Sequence, residues 1–168
     1  MNLPKRKPTR LKRYDYSAPG AYFITICTQN RKQILSKISV VGAGLCALPK
    51  NELTKTGNVV KNAVDFINKV YQNISVDKYV IMPNHVHLLI SITGGHGDPP
   101  LPQIIGQFKS FTQKSYTEKL WQRSFHDHII RGDKDYEKIW EYIDTNVLRW
   151  KDDCFFMSKK KAPFNGCF

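Results

Sequence analysis

The chain has 168 residues and carries 26 Lys+Arg against 14 Asp+Glu, a formal net charge of +12. That length suits about one domain with a substantial core. No apolar run reaches membrane-spanning length and no basic amphipathic helix is evident, so the surplus charge points to a nucleic acid before a membrane.

Positive charge is densest at the start, in Lys5-Arg6-Lys7 and in Arg10, Lys12 and Arg13, with a smaller run at Lys159-Lys160-Lys161. Residues 1–13 are expected to form a basic arm that neutralises phosphates. That opening stretch lacks the apolar segment of a signal peptide. Cys27, Cys46, Cys154 and Cys167 show no Cys-x-x-Cys spacing, so they read as reduced thiols of a cytoplasmic protein.

Ala21 to Thr28 is rich in aromatic and β-branched residues and predicts a strand. Ile38 to Leu48 contains Gly42 and Gly44 and suits a short hairpin. From Thr54 to Gln72, Val59, Val60, Ala63, Ile67, Val70 and Tyr71 recur at helical spacing. Two apolar strands follow, joined by a tight turn at Pro83-Asn84. A Gly-rich loop around His96 leads to a second helix over 101–119, with Ile104, Ile105, Phe108 and Phe111 on one side. Phe125 to Arg131 predicts another strand, and 133–150 a third helix. Strands in tight hairpins, separated by three helices, give an α+β class: an antiparallel sheet with helices packed on it.

The strand after Pro83-Asn84 carries His85-Val86-His87. Side chains alternate along a strand, so the two imidazoles project from one face about 7 Å apart. Two neutral imidazole nitrogens so placed can converge on one divalent ion. His126-Asp127-His128 repeats the alternation, but its acidic middle residue would face the packed side, and His128 suits a supporting hydrogen bond better.

The third helix supplies a partner. At 100° per residue, Ile139, Trp140, Ile143, Val147 and Trp150 fall within about 60° of Tyr136, which defines a buried stripe. Tyr142 lies about 120° off that stripe, with Asn146 one turn beyond it on the same flank. Taken alone, Tyr142 is an ordinary surface residue. Taken with the histidines, a phenol beside a carboxamide describes phosphoryl chemistry: an ion held by His85, His87 and the Asn146 amide oxygen polarises a phosphate, and the Tyr142 hydroxyl attacks it. The covalent phosphotyrosine would conserve the bond energy for rejoining the strand.

Three segments in order, Tyr79-Val80-Ile81-Met82-Pro83-Asn84-His85-Val86-His87, then Trp121 to Arg131, then Tyr142-Ile143-Asp144-Thr145-Asn146, resemble the single-tyrosine HUH transposases, specifically the REP-associated tyrosine transposase branch. Gly20 to Thr28 is similar to that branch's first strand. The likeness runs from about residue 13 to 150. It implies a ferredoxin-like catalytic core over 14–150, with 151–168 as a C-terminal tail. It also implies cleavage and rejoining of single-stranded DNA near hairpins through a 5′-phosphotyrosine, with Mg²⁺ or Mn²⁺. By the same resemblance His85 and His87 are metal ligands, Tyr142 the nucleophile and Asn146 the third ligand. One departure is that Val147-Leu148 follows Asn146 where the family usually has Asn-Pro, so the helix is expected to run longer.

Candidate DNA contacts, besides the arm, are Trp121, Arg123 and Arg131, which suit base stacking and phosphate clamping, and Lys109 and Lys114 on the second helix. Trp121 is equally suited to anchoring the core. The expected setting is cytoplasmic, at the nucleoid. Monomer and homodimer both stay open, as does action of Tyr142 in cis or in trans. A nucleotide-hydrolysing histidine triad is excluded because position 89 is Leu89. The remaining alternative is a catalytically silent, domesticated protein that binds DNA hairpins.

Overall fold

The computed structural model describes residues 14–42, 48–94, 99–153 and 155. The arm residues Lys5, Arg6, Lys7, Arg10, Lys12 and Arg13 lie outside that set, as does His96. The elements in chain order are β1 (Gly20–Cys27), a 3₁₀ turn (Gln29–Arg31), β2 (Ser36–Val41), β3 (Leu48–Leu53), α1 (Lys55–Val70), β4 (Ile74–Ile81) and β5 (His85–Ile92). After these come α2 (Leu101–Gln113), β6 (His126–Ile129), α3 (Asp133–Thr145) and a second 3₁₀ turn (Trp150–Asp152). No described helix is long and apolar enough to cross a membrane.

β4, β5, β1 and β6 form one antiparallel sheet in that order, and β2 and β3 form a separate hairpin. With the hairpin set aside, the chain runs β1-α1-β4-β5-α2-β6, which is the ferredoxin-like arrangement. Alternation along the two central strands sorts their side chains. Tyr22, Ile24 and Ile26 of β1 and Val86, Leu88 and Ile90 of β5 pack against Val60, Ala63, Val64 and Ile67 of α1 and Leu101, Ile104, Ile105 and Phe108 of α2. Phe23 and Leu89 point the other way, into a smaller cluster with Ile139 and Ile143 of α3. His85 and His87 share that second face.

Local chemistry sets the ends of the elements. The Thr54 hydroxyl accepts the Gly57 N–H at 3.1 Å and caps α1. Gly57 is required there: a Cβ would stand 2.0 Å from the Leu35 carbonyl oxygen. Gly132, at φ 88°, leads into α3, whose first turn carries Asp133 and Asp135 where the helix dipole favours carboxylates. The Asp135 carboxylate also accepts the Arg131 backbone N–H at 3.0 Å and meets His128 Nε2 at 2.8 Å. The hydrogen bond from Arg131 is the main reason the Asp135 carboxyl lies below its ordinary range. This is the supporting role foreseen for His128.

The structure corrects several boundaries. α2 stops at Gln113, six residues short of the expected end, because residues 114–120 turn back and are held by Gln113, whose side chain bonds Leu120 N and the carbonyls of Tyr116 and Glu118. α3 stops at Thr145, and successive turns rather than further helix carry the chain to Trp150. The buried stripe of α3 is also rotated from the expected one. Trp140 is 38% exposed and lies against the Lys78 ammonium, 4.8 Å from its ring centroid, while Asn146 is buried. Tyr142 is consequently carried inward.

Candidate active site and metal centre

The turn that presents the histidines is itself buried, an unusual place for a hairpin connection. Pro83 and Asn84 are wholly or nearly covered. The Pro83 carbonyl accepts the N–H groups of Ile34 and Leu35, and the Asn84 carbonyl accepts the Thr28 N–H. The Thr28 hydroxyl reaches the Asn84 and Lys32 carbonyls at 3.0 and 2.8 Å. The loop from Thr28 to Leu35 is thereby bound to the turn that opens β5.

His85 and His87 are fully buried, with ring centroids 4.5 Å apart. Each imidazole is oriented from its Nδ1 side. Asn84 Oδ1 lies 2.8 Å from His85 Nδ1, and because the Asn84 amide N–H₂ donates to the Phe155 carbonyl at 2.8 Å, Oδ1 is the acceptor. His85 therefore carries its proton on Nδ1 and keeps a lone pair on Nε2. Thr25 lies opposite His87 in the β1–β5 register, its hydroxyl 2.9 Å from His87 Nδ1. Burial drives both histidines to the neutral form: His87 is pulled down to about 3 and His85 well below its ordinary value. Two uncharged imidazoles held this way are ready ligands.

The carboxylate that completes the group is Asp153. Ligand atoms of His85, His87 and Asp153 all lie within 4.8 Å of one another, with Asp153 Oδ2 3.9 Å from His85 Nε2. Asp153 Oδ1 accepts the Phe155 N–H at 2.6 Å, and Oδ2 is 3.4 Å from the Asn146 amide nitrogen. Burial raises the Asp153 carboxyl above its ordinary value, against the pull of those hydrogen bonds. Two polar atoms here, His85 Nε2 and Asn146 Oδ1, are buried without a hydrogen-bond partner. Such orphans are costly unless something fills the gap, and two imidazole nitrogens and a carboxylate gathered within 4.8 Å suit a divalent cation. The donor set fits the group.

Sequence reasoning missed Asp153, which it assigned to the tail. The covering residues Trp150 and Phe155 sit 6.1 and 4.6 Å from the His85 ring, so with Asp153 they belong to the wall of this centre. The adjacent pair Asp152-Asp153, close behind the Tyr142–Asn146 segment, was the available signal.

Tyr142 stands on α3 with its hydroxyl 3.4 Å from His87 Nε2, and its ring packs edge-on to Phe23 and His87. Burial, followed by the Asp153 charge, pushes the phenol up to about 12, while a hydrogen bond from Asn146 acts in the opposite direction. The structure therefore brings together His85, His87, Tyr142 and Asn146 from the sequence reading. The DNA-contact candidates divide. Arg123, Arg131 and Lys114 are exposed. Lys109 donates to the carbonyls of Gln122 and Ser124 at 2.8 and 3.0 Å and thus braces the chain ahead of β6. Trp121 is a core anchor: only 4% exposed, it packs against Phe108 and donates its indole N–H to Thr112 at 2.7 Å, so no face is open for stacking.

No family model matches the chain. A protein of Haemophilus influenzae described only as uncharacterized is 33% identical, over 90% of this chain and 93% of its own. A putative REP-associated tyrosine transposase of the same organism is 27% identical over 82% of this chain and 75% of its own. The REP-associated tyrosine transposase of Escherichia coli K12 is 24% identical over 82% and 72%. The solved structure of a REP-associated tyrosine transposase bound to a REP hairpin superposes with a TM-score of 0.61 at 22% identity, covering 84% of this chain and 73% of that one. The chain has homologues named REP-associated tyrosine transposases. Within the α+β fold shared with the solved structure, the two histidines of β5 and the tyrosine of α3 meet on the sheet face opposite α1 and α2.

Proposed function

We propose that the chain cleaves and rejoins single-stranded DNA beside hairpins, with Tyr142 as nucleophile. The observation that carries this is the approach of the Tyr142 hydroxyl to within 3.4 Å of His87 Nε2, at the mouth of a buried His-His-Asp group. His85, His87 and Asp153 would hold the cation, and Asn146, whose amide oxygen is buried without a partner, is a further candidate ligand. When bound, Mg²⁺ or Mn²⁺ supplies positive charge against the phosphate oxygens and lowers the effective basicity demanded of the phenol.

The residues of the chain perform the remaining steps. Phe23, Trp150 and Phe155 exclude water from the imidazoles, which favours attack by the tyrosine over hydrolysis. Tyr142 Oη forms a bond to phosphorus as the P–O3′ bond breaks. The phenol gives up its proton and the departing 3′-oxygen gains one, leaving a 5′-phosphotyrosine and a free 3′-hydroxyl. Reversal by another 3′-hydroxyl rejoins DNA without an external energy source. The hairpin preference rests on the family and on the hairpin bound by the solved relative. Net positive charge supplies the sequence-independent part of binding.

The test is a denaturing gel of protein incubated with a hairpin-bearing single-stranded oligonucleotide and Mn²⁺. Wild-type protein is expected to give a band shifted by covalent DNA, and Tyr142→Phe none. An equal band from Tyr142→Phe removes the tyrosine from the mechanism.

A further inference from the structure

Asn30 and Arg31, at φ 55° and 53°, are the non-glycine residues with positive φ among those described. Asparagine adopts this backbone readily; arginine rarely does. The strained pair sits in the turn that follows β1, on the loop bound to the Pro83-Asn84 turn through Thr28, Ile34 and Leu35. Surrounding hydrogen bonds thus impose the conformation, and imposed strain of this kind clusters at working sites. The Arg31 side chain lies beside the wall of the metal centre. The guanidinium carbon lies 5.2 Å from the centroid of the Phe155 ring, which also packs against His85 at 4.6 Å and His87 at 6.0 Å. Its charge is felt by His85, which it disfavours in the protonated form, and by Asp153, which it favours in the ionised form.

We propose that Arg31 is a further catalytic residue, whose guanidinium clamps the scissile phosphate of single-stranded DNA opposite the cation. The assignment rests on the reading of Tyr142 as nucleophile. As Tyr142 Oη bonds to phosphorus and the P–O3′ bond breaks, negative charge is spread over the non-bridging oxygens. The forked N–H groups of an arginine match two of them. A donor held in place by the fold before the reaction loses nothing to reorganisation when charge develops. Glycine adopts this left-handed backbone without the strain that arginine meets there.

That last point supplies the experiment. Arg31→Gly removes the guanidinium while relieving the backbone, so stability and activity should move apart. Wild type, Arg31→Gly and Arg31→Lys are compared for the rate of covalent adduct formation with a hairpin oligonucleotide and Mn²⁺, for hairpin affinity by gel shift, and for thermal midpoint. Arg31→Gly is expected to melt at or above the wild-type midpoint, to bind the hairpin within a few-fold, and to form adduct slower by on the order of 100-fold. Arg31→Lys, which keeps the charge without the fork, should recover part of that loss. An adduct rate for Arg31→Gly within about threefold of wild type, or a loss that tracks a lowered midpoint, overturns the assignment. Failure of the wild type itself to form adduct overturns the tyrosine mechanism and this assignment together.

Discussion

At the residue scale, His87 joins three partners that come from separate parts of the chain: Thr25 at Nδ1, His85 beside it, and Tyr142 at Nε2. His87→Ala should therefore lower metal-dependent adduct formation by at least about 100-fold, since loss of orienting partners alone costs ligands about 10–100-fold. Hairpin binding should persist, because the basic side chains expected to contact phosphates lie elsewhere. A gel shift that fails before cleavage does would contradict this division. The imidazoles and Tyr142 were legible in the sequence because strand alternation and helical spacing mark side chains whose direction packing does not explain. Asp153 was not, because its position depends on how the chain folds back after α3. Nor was Arg31, since a left-handed arginine leaves no periodic trace.

At the element scale, α1 meets the rest of the molecule through a contact that leaves no room. Gly57 lies against the Leu35 carbonyl, which also accepts the Thr54 N–H and hydroxyl. Gly57→Ala gains helix propensity worth about 1 kcal/mol, yet its methyl would collide with backbone that cannot yield. We expect a net destabilisation of about 1–3 kcal/mol in denaturant unfolding; a stabilised variant would show that the approach is looser. α1 and the β4–β5 pair were readable from periodicity alone. The end of α3 was not, because apolar Val147 and Leu148 prolong the pattern past Thr145. In the fold Leu148 stays 60% exposed, and Asn146 is drawn inward by Asp153 instead.

At the scale of the whole molecule, polar anchors hold α3 over the sheet. The Tyr136 hydroxyl donates to Asp77 at 3.0 Å, and Lys78 meets Asp144 at 2.6 Å. Burial, and then Asp77, push Tyr136 up to about 12; Tyr142 is raised by burial to about 12, and Tyr22 further still. Each folded value exceeds the unfolded one of 10.0, so the unfolded chain loses these protons first. Their contribution to stability is complete below pH 10 and is lost as pH rises toward 12. Absorbance titration should accordingly show a late phenolate component that appears only as the fold opens; a single transition near the free value of about 10 would contradict it. The antiparallel sheet and its helices were legible in the sequence, and the ferredoxin-like path was what the family resemblance implied; the strand order emerged only in the fold. The union of β5, α3, Trp150, Asp153 and Phe155 around one centre had to be seen in three dimensions.

The most direct measurement is to digest the covalent adduct formed with a hairpin oligonucleotide and identify the modified peptide by mass. Nucleotide joined to Tyr142 through its 5′-phosphate, with a free 3′-hydroxyl on the released strand, is the predicted result. Attachment at any other residue, or cleaved DNA with no protein joined to it, would contradict the account.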